Sequence, residues 1–442
     1  MLNLARRLIA LGIFAVAFAA VAAEQTHWVT SWAASVHGPY PVGNPSAQPN
    51  LALVFPSAET GARDQSFRLI VKPEHWGGRA RMRFSNAFGT QPVTFDGAYA
   101  GLQWSGSAVI PGTNRALTFS GKRSVTVAPG QSVWSDAVAL PFVKNGTDLR
   151  GRKLAVSFHV AGTSGPMTWH AKALQSSYVT LPGAGARGDD VTEAAFPFAT
   201  ASWYFLDAVD MIAPKGVGAI VAFGDSITDG TASTINGDDR WPDVLARRLG
   251  GRWVVVNAGI GGNQVVGPKE YSPQKPFPGG PAAVQRLERD VLTLSGVKAV
   301  IWLEGTNDFS KNGNAEVAAV IAGMREGVVR MRDAIPGVRV IGATLTSALG
   351  STSAAHGFEL QDEKRKQLND FIRTGGLFDG VADFDRATTD PQTGGMQAAF
   401  VPDNTVGGPG DKLHPNRMGY QAMGMSIDPG LFEARAAVRK PR

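Results

Sequence analysis

Two different rhythms of apolar and polar residues divide this chain. From about His27 to Asp210 the runs are short: Ser66–Val71 reads SFRLIV, and Arg79–Phe84 reads RARMRF. In the latter, and in Ser124–Val127 and Lys153–Val160 (KLAVSFHV), polar and apolar positions alternate. A period of two turns alternate side chains to one face, as in a half-buried strand. Gly, Pro, Asn and Asp clusters interrupt the runs at short intervals, and no helix-period segment of any length occurs. This pattern predicts a β-sandwich.

The rhythm changes near Ala213-Pro214-Lys215-Gly216, which reads as a linker. Beyond it, apolar runs alternate with amphipathic stretches. Strands are predicted at Ala219–Phe223, Trp253–Val256, Ala299–Leu303, Arg339–Ala343 and Gly380–Asp383. Helices are predicted at Arg240–Leu249, Ala283–Thr293, Ala315–Ala334, Asp362–Thr374 and Met418–Ile427. Repeated βα units imply a parallel sheet covered on both faces, with ligands at the carboxyl ends of its strands.

Length and composition refine this picture. A chain of 442 residues is too long for one ordinary core. Residues 1–23 read as a signal peptide: Arg6 and Arg7, an apolar run from Leu8 to Val21, then small residues at Ala20-Val21-Ala22-Ala23. The run falls short of the roughly 20 apolar residues that a membrane span requires. The expected division is therefore 1–23 leader, 24–212 β-sandwich domain and 213–442 α/β domain. With no cysteine, the chain has no disulfide, thiol nucleophile or cysteine-based zinc site. The predicted destination is the bacterial periplasm or the medium. The net charge of +6 drops to +4 without Arg6 and Arg7, and it is scattered. Neither a nucleic-acid partner nor stable membrane insertion after leader cleavage is expected.

Four short segments carry candidate chemistry. Gly224-Asp225-Ser226 ends the first predicted parallel strand, and its turn offers backbone N–H groups that can hold negative charge. Asn257-Ala258-Gly259-Ile260-Gly261-Gly262-Asn263 follows the second strand, where glycine lets a backbone N–H approach a ligand. Gly305-Thr306-Asn307-Asp308 follows the third, and the Asn307 amide can face a developing oxyanion. Asp411-Lys412-Leu413-His414 precedes the last helix; a histidine can take a hydroxyl proton if a carboxylate holds its other nitrogen. Taken singly, each has a plainer reading: a capped turn, a flexible loop, an Asx turn, a solvated surface loop. Taken together, they put serine, backbone donors, amide and Asp/His pair on one edge of one sheet.

Here the chain resembles the SGNH/GDSL hydrolases, whose four blocks appear in order across roughly 215–430. The resemblance implies a flavodoxin-like three-layer α/β/α fold. It also implies Ser226 as nucleophile, Asp411 and His414 as acid–base pair, and Ser226 N–H, Gly262 and Asn307 as oxyanion donors, with no cofactor. His27–Ala33 and Arg83–Gly89 are similar to the β-rich region that precedes the hydrolase domain in a subset of secreted members.

The remaining histidines, His27, His37, His75, His159, His170 and His356, form no i, i+4 pair and no HExxH, so no metal site is expected. His159 is expected on an outer sheet face. Asp225, Asp229 and Asp308 should hold loop geometry, and Glu304 should be a buried, structurally paired carboxylate. Of Trp76, Trp104 and Trp134, at least two should pack in cores. The expected activity is that of an exported serine esterase acting on a small-molecule or polysaccharide ester, with O-acetylated polysaccharide the favoured substrate. The alternatives are a lipolytic or aryl esterase, or a carbohydrate-binding protein on a hydrolase fold.

Overall fold

The computed structural model describes residues 25–144, 148–402 and 408–433; the leader predicted at 1–23 lies outside them. In the second half, strands Gly218–Gly224, Trp253–Gly259, Val297–Leu303, Arg339–Ala343 and Gly380–Ala382 pair in parallel. Their spatial order is second, first, third, fourth, fifth. The chain therefore leaves the first strand in one direction for the second and in the other for the third, which opens a crevice at the carboxyl ends between them. Every residue of Gly218–Gly224 is buried, so both faces of the sheet are covered. Helix Trp241–Leu249 packs with Arg417–Ser426, and Val317–Ala334 packs with Ala283–Leu287 and Glu359–Thr374.

One predicted helix differs in kind. Ala283–Thr293 is α-helical only to Leu287, and Glu288–Leu292 winds as a π-turn closed by Thr293 N–H donating to Glu288 O at 3.0 Å. The wider turn lets Arg286 and Arg289 both reach Asp290, at 2.9 and 2.6 Å. No apolar periodicity distinguishes such a turn from an ordinary helix.

The first half is β-rich. One antiparallel sheet contains Thr26–Ala33, Leu206–Pro214, Arg79–Ser85 and Ser132–Trp134; a second is built around Arg63–Val71, Leu154–Thr163 and Val93–Leu102. Met82, Phe84 and Met211 of the first sheet and Phe67, Phe95 and Phe158 of the second belong to one apolar cluster. Phe158 lies 5.2 Å from both Phe67, stacked, and Phe84, edge-on, both favoured aromatic geometries.

The junction is tighter than the sequence suggests. Ala213 and Pro214 still belong to a strand, paired with His27 and Thr26, so only Lys215–Val217 separates the last β-rich strand from the first parallel one. Burial explains the extension. Val29, Ala33, Ala208 and Ala213 join the apolar cluster of the parallel-sheet half, whereas Trp32, Val209 and Met211 join that of the β-rich half. This strand pair is a wall with a core on each side. Polar ties reinforce it: Thr30 N–H donates to Ser295 O at 3.0 Å, and Arg83 reaches Asp207 at 2.6 Å and Thr293 Oγ1 at 2.9 Å.

Trp76 and Trp134 pack against the cores, while Trp104 is 70% exposed. His159 is a sheet-face residue, clamped between Asp64 at 2.8 Å and Asp96 at 2.6 Å. Among the described residues no helix is long and apolar enough to cross a membrane.

Candidate active site

The first parallel strand ends at Gly224, where nothing larger fits: an added Cβ would lie 2.4 Å from Leu303 O. Asp225 then caps the four-residue helix Ser226–Asp229, its Oδ1 accepting from Ile227 N–H at 2.9 Å. Gly230, at φ 103°, ends that helix in a left-handed conformation. Ser226 is thereby held at the carboxyl edge of the sheet, 9% exposed.

The Asp411–His414 segment reaches the same edge. Asp411 Oδ1 accepts from Leu413 N–H at 2.9 Å and His414 N–H at 2.8 Å, which curls the loop back on itself, with Lys412 at φ 58°. That curl brings Asp411 Oδ2 to 2.6 Å from His414 Nδ1. A carboxylate acceptor there puts the ring proton on Nδ1 and leaves Nε2 free to accept. His414 Nε2 lies 2.8 Å from Ser226 Oγ, so a continuous relay runs from hydroxyl to carboxylate. Burial pushes the Asp411 carboxyl up. The His414 bond and charge, with the two backbone N–H groups, outweigh it and hold the carboxyl well below the usual range.

Gly262 and Asn307 line the cavity that contains Ser226, and so do Asp411 and His414. Neither Ser226 N–H nor Gly262 N–H bonds to a described residue. Asn307 commits one amide proton to Asn263 O at 2.9 Å; Asp225 Oδ2, at 3.5 Å, is a distant second acceptor. Three donors are thus available at one edge, the arrangement that oxyanion stabilisation requires.

Beneath them lie three buried carboxyls. Burial pushes Asp225 up to about 8 and Asp308 up to about 7, against the N–H bonds each accepts; it also raises Glu304. A protonated Asp225 does not repel negative charge gathering above it. Asp308 accepts from Val265 N–H and Val266 N–H at 2.8 and 3.1 Å, and Asp229 from Gly261 N–H at 2.9 Å, so these acids hold the loops as expected. Glu304 is paired with Arg286 at 3.6 Å. The same arginine ties the ends of two strands together, donating to Gly224 O and Ala258 O, both at 2.8 Å.

Sequence reasoning pointed to neither Asn44 nor Lys172, which line the cavity together with His356. Asn44 and Lys172 come from loops of the β-rich half and belong to no motif. Lys172 is 4% exposed, and its ammonium donates to Ser46 Oγ at 2.9 Å. Burial lowers its affinity for a proton, against the attraction of Asp229 and Asp411. His356 Nδ1 accepts from Gln361 Nε2 at 2.8 Å, an amide oriented by Gly357 N–H on its oxygen at 2.8 Å. Burial and the neighbouring His414 lower His356 to about 4, so it is a neutral ring with Nε2–H available. The cavity, of about 380 Å³, mixes polar Gln264, Ser310 and Asn312 with apolar Phe277 and Leu413.

Residues 222–422 match the GDSL-like Lipase/Acylhydrolase family. No curated protein matches the chain. Among solved structures it is similar to an aryl esterase of M. smegmatis (18% identity, TM-score 0.37), over 48% of this chain and 96% of that one. It is also similar to Est24, a carbohydrate acetylesterase from Sinorhizobium meliloti (15%, 0.36), over 47% and 94%. The family match covers all four candidate segments, from Gly224 to His414. Residues 222–422 are therefore a GDSL-like lipase/acylhydrolase domain, and through it the chain is a carboxylic ester hydrolase.

Proposed function

We propose that the protein is an exported serine esterase, and the observation that carries this reading is the Ser226–His414–Asp411 relay at 2.8 and 2.6 Å. His414 Nε2 takes the proton of Ser226 Oγ as that oxygen attacks the ester carbonyl. The carbonyl oxygen becomes an oxyanion held by Ser226 N–H, Gly262 N–H and Asn307. Collapse breaks the bond to the alcohol, which leaves with the proton from His414. Water, deprotonated by the same ring, then attacks the acyl-enzyme and releases the acid and Ser226. Asp411 stays ionised and stabilises the imidazolium throughout.

The proposed organisation is a leader at 1–23, a β-sandwich at 24–212 and the hydrolase domain at 213–442. The favoured substrate is an O-acetylated polysaccharide, because Asn44, Gln264, Ser310, Asn312 and His356 offer hydrogen bonds suited to sugar hydroxyls. A small aryl or lipid ester is the second reading, favoured by Phe277 and Leu413 in the same wall. A pure binding protein has no need of a hydrogen-bonded Ser–His–Asp relay. The test is release of nitrophenol from a short-chain ester, then acetate release from acetylated glycans set against lysophospholipid hydrolysis. Glycan deacetylation is expected to be the faster. Faster lysophospholipid hydrolysis would select the second reading, and no release from any ester would reject both.

A further inference from the structure

Both atoms of one backbone amide unit matter here. The carbonyl of Gly261 and the N–H of Gly262 belong to the same peptide, and in a planar trans peptide they point in opposite directions. Gly261 O accepts from Asn44 Nδ2 at 2.7 Å. A carbonyl drawn toward Asn44 turns the Gly262 N–H away from it. Accepting a bond at the oxygen also polarises that N–H as a donor. The neighbouring peptide is fixed from the other side. Gly261 N–H donates to Asp229 Oδ2 at 2.9 Å, and Asp229 Oδ1 lies 3.1 Å from His170 Nε2.

Asn44 and His170 both belong to the β-rich half. Asn44 is exposed at the cavity mouth, yet its backbone is set by packing. A Cβ on the preceding Gly43 would meet His37 at 2.7 Å, Ala171 at 2.8 Å and Trp169 at 2.9 Å, so the loop lies flush on the β-rich core. Trp169 Nε1 donates to Val42 O at 3.2 Å, and Ala201 N–H donates to Gln48 Oε1 at 2.6 Å, on either side of Asn44. Without this support the loop's glycines, including Gly262 at φ 88°, would leave the peptide free to rotate.

We infer that the β-rich half completes the oxyanion hole, with Asn44 as positioning residue for the Gly262 N–H and His170 acting behind it through Asp229. This rests on the serine-esterase reading above. In the full-length protein, Asn44→Ala and Asn44→Asp should each lower kcat on nitrophenyl acetate about tenfold to hundredfold. That is less than the roughly hundredfold to thousandfold for removing an oxyanion donor outright. KM should stay within about twofold, because the lost interaction belongs to the transition state. Binding of a trifluoromethyl ketone, whose serine adduct carries the oxyanion, should weaken by the same factor as kcat. Asp fills the space of Asn but cannot donate, so Asn44→Asp separates donation from packing. A kcat within twofold of the parent in either variant overturns the inference, as does a raised KM at unchanged kcat. A large fall in melting temperature in both variants would make Asn44 a structural residue and overturn it too. Ser226→Ala run alongside separates the two levels: if it stays active the esterase reading fails, and if it is dead while Asn44 variants are normal only this inference fails.

Discussion

The two halves of the molecule supply the same cavity by different means. The parallel-sheet half delivers Ser226, Gly262, Asn307 and the Asp411–His414 pair from segments beyond strand ends, each within a recognisable motif. The β-rich half delivers Asn44 and Lys172 from loops with no motif. A parallel sheet collects its strand ends on one edge, so reactive groups encoded there converge without further instruction. Loops laid across that edge from a second core reach it only because the two cores share a wall, Thr26–Ala33 with Leu206–Pro214. On the proposed mechanism the parallel-sheet half thus holds the groups that react, and the β-rich half holds groups that orient and enclose them.

The sharpest way to break this division is at the proposed nucleophile. Ser226→Ala should lower kcat by about 10⁵-fold to 10⁶-fold, the scale seen when a triad serine is lost, with the fold unchanged. An organophosphonate should add once, to a peptide containing Ser226. Labelling of a serine in the β-rich half would reverse the assignment of reactive and supporting regions.

Next in size is Asp411→Asn. An asparagine can offer an N–H where His414 needs an acceptor, which favours the wrong ring tautomer. A loss of about 10³-fold to 10⁴-fold in kcat is expected, with little change in KM. Parent-like kcat would mean that another carboxylate serves His414.

Removing residues 24–212 tests whether the halves are separable. The cut exposes the apolar surface against which Val29, Ala33 and Ala208 pack, and it deletes Asn44, which holds Gly261 O, and His170, which lies behind Asp229. The fragment 213–442 should be poorly soluble or low-melting. Any soluble fraction should lose at least tenfold in kcat even on nitrophenyl acetate, which is too small to need a second domain for binding. A stable fragment with undiminished aryl-ester activity would make the β-rich half an independent module.

Most of the parallel-sheet half was legible because its strands are short apolar runs followed at once by their chemistry. Gly224, Asn307 and His414 each sit in a motif whose spacing has a mechanical reason. Asn44 was not legible: its contact to Gly261 spans 217 residues, and nothing local marks it. The linker was misplaced because Ala213-Pro214 has turn composition, yet Ala213 finds a core to bury in. The π-turn at Glu288–Leu292 was invisible because its apolar spacing is that of an α-helix. The strand rhythm of the β-rich half was clear, but rhythm does not reveal that one strand pair faces two cores.

The smallest expected effect concerns the seam itself. His37 is 1% exposed, neither ring nitrogen has a partner among the described residues, and its Cβ lies 3.3 Å from where Gly280 of the other half would carry one. Burial lowers it from 6.5 to about 3; His170 and Arg289 act in the same sense and Asp229 against it. The sign follows directly. Below pH 6.5 the unfolded chain takes up a proton that the folded ring refuses, so the stabilising effect is complete above 6.5 and fades as pH falls toward 3. By pH 5 this one ring should cost about 2 kcal/mol of folding free energy. His356, lowered to about 4 at the cavity edge, adds to the trend but is less buried. Urea unfolding of the full-length protein at pH 7 and pH 5, compared with His37→Leu, isolates the His37 contribution. The variant should lose less stability than the parent between the two pH values. An identical loss in both proteins would show that acid acts elsewhere, and that the seam between the halves does not sense protons through His37.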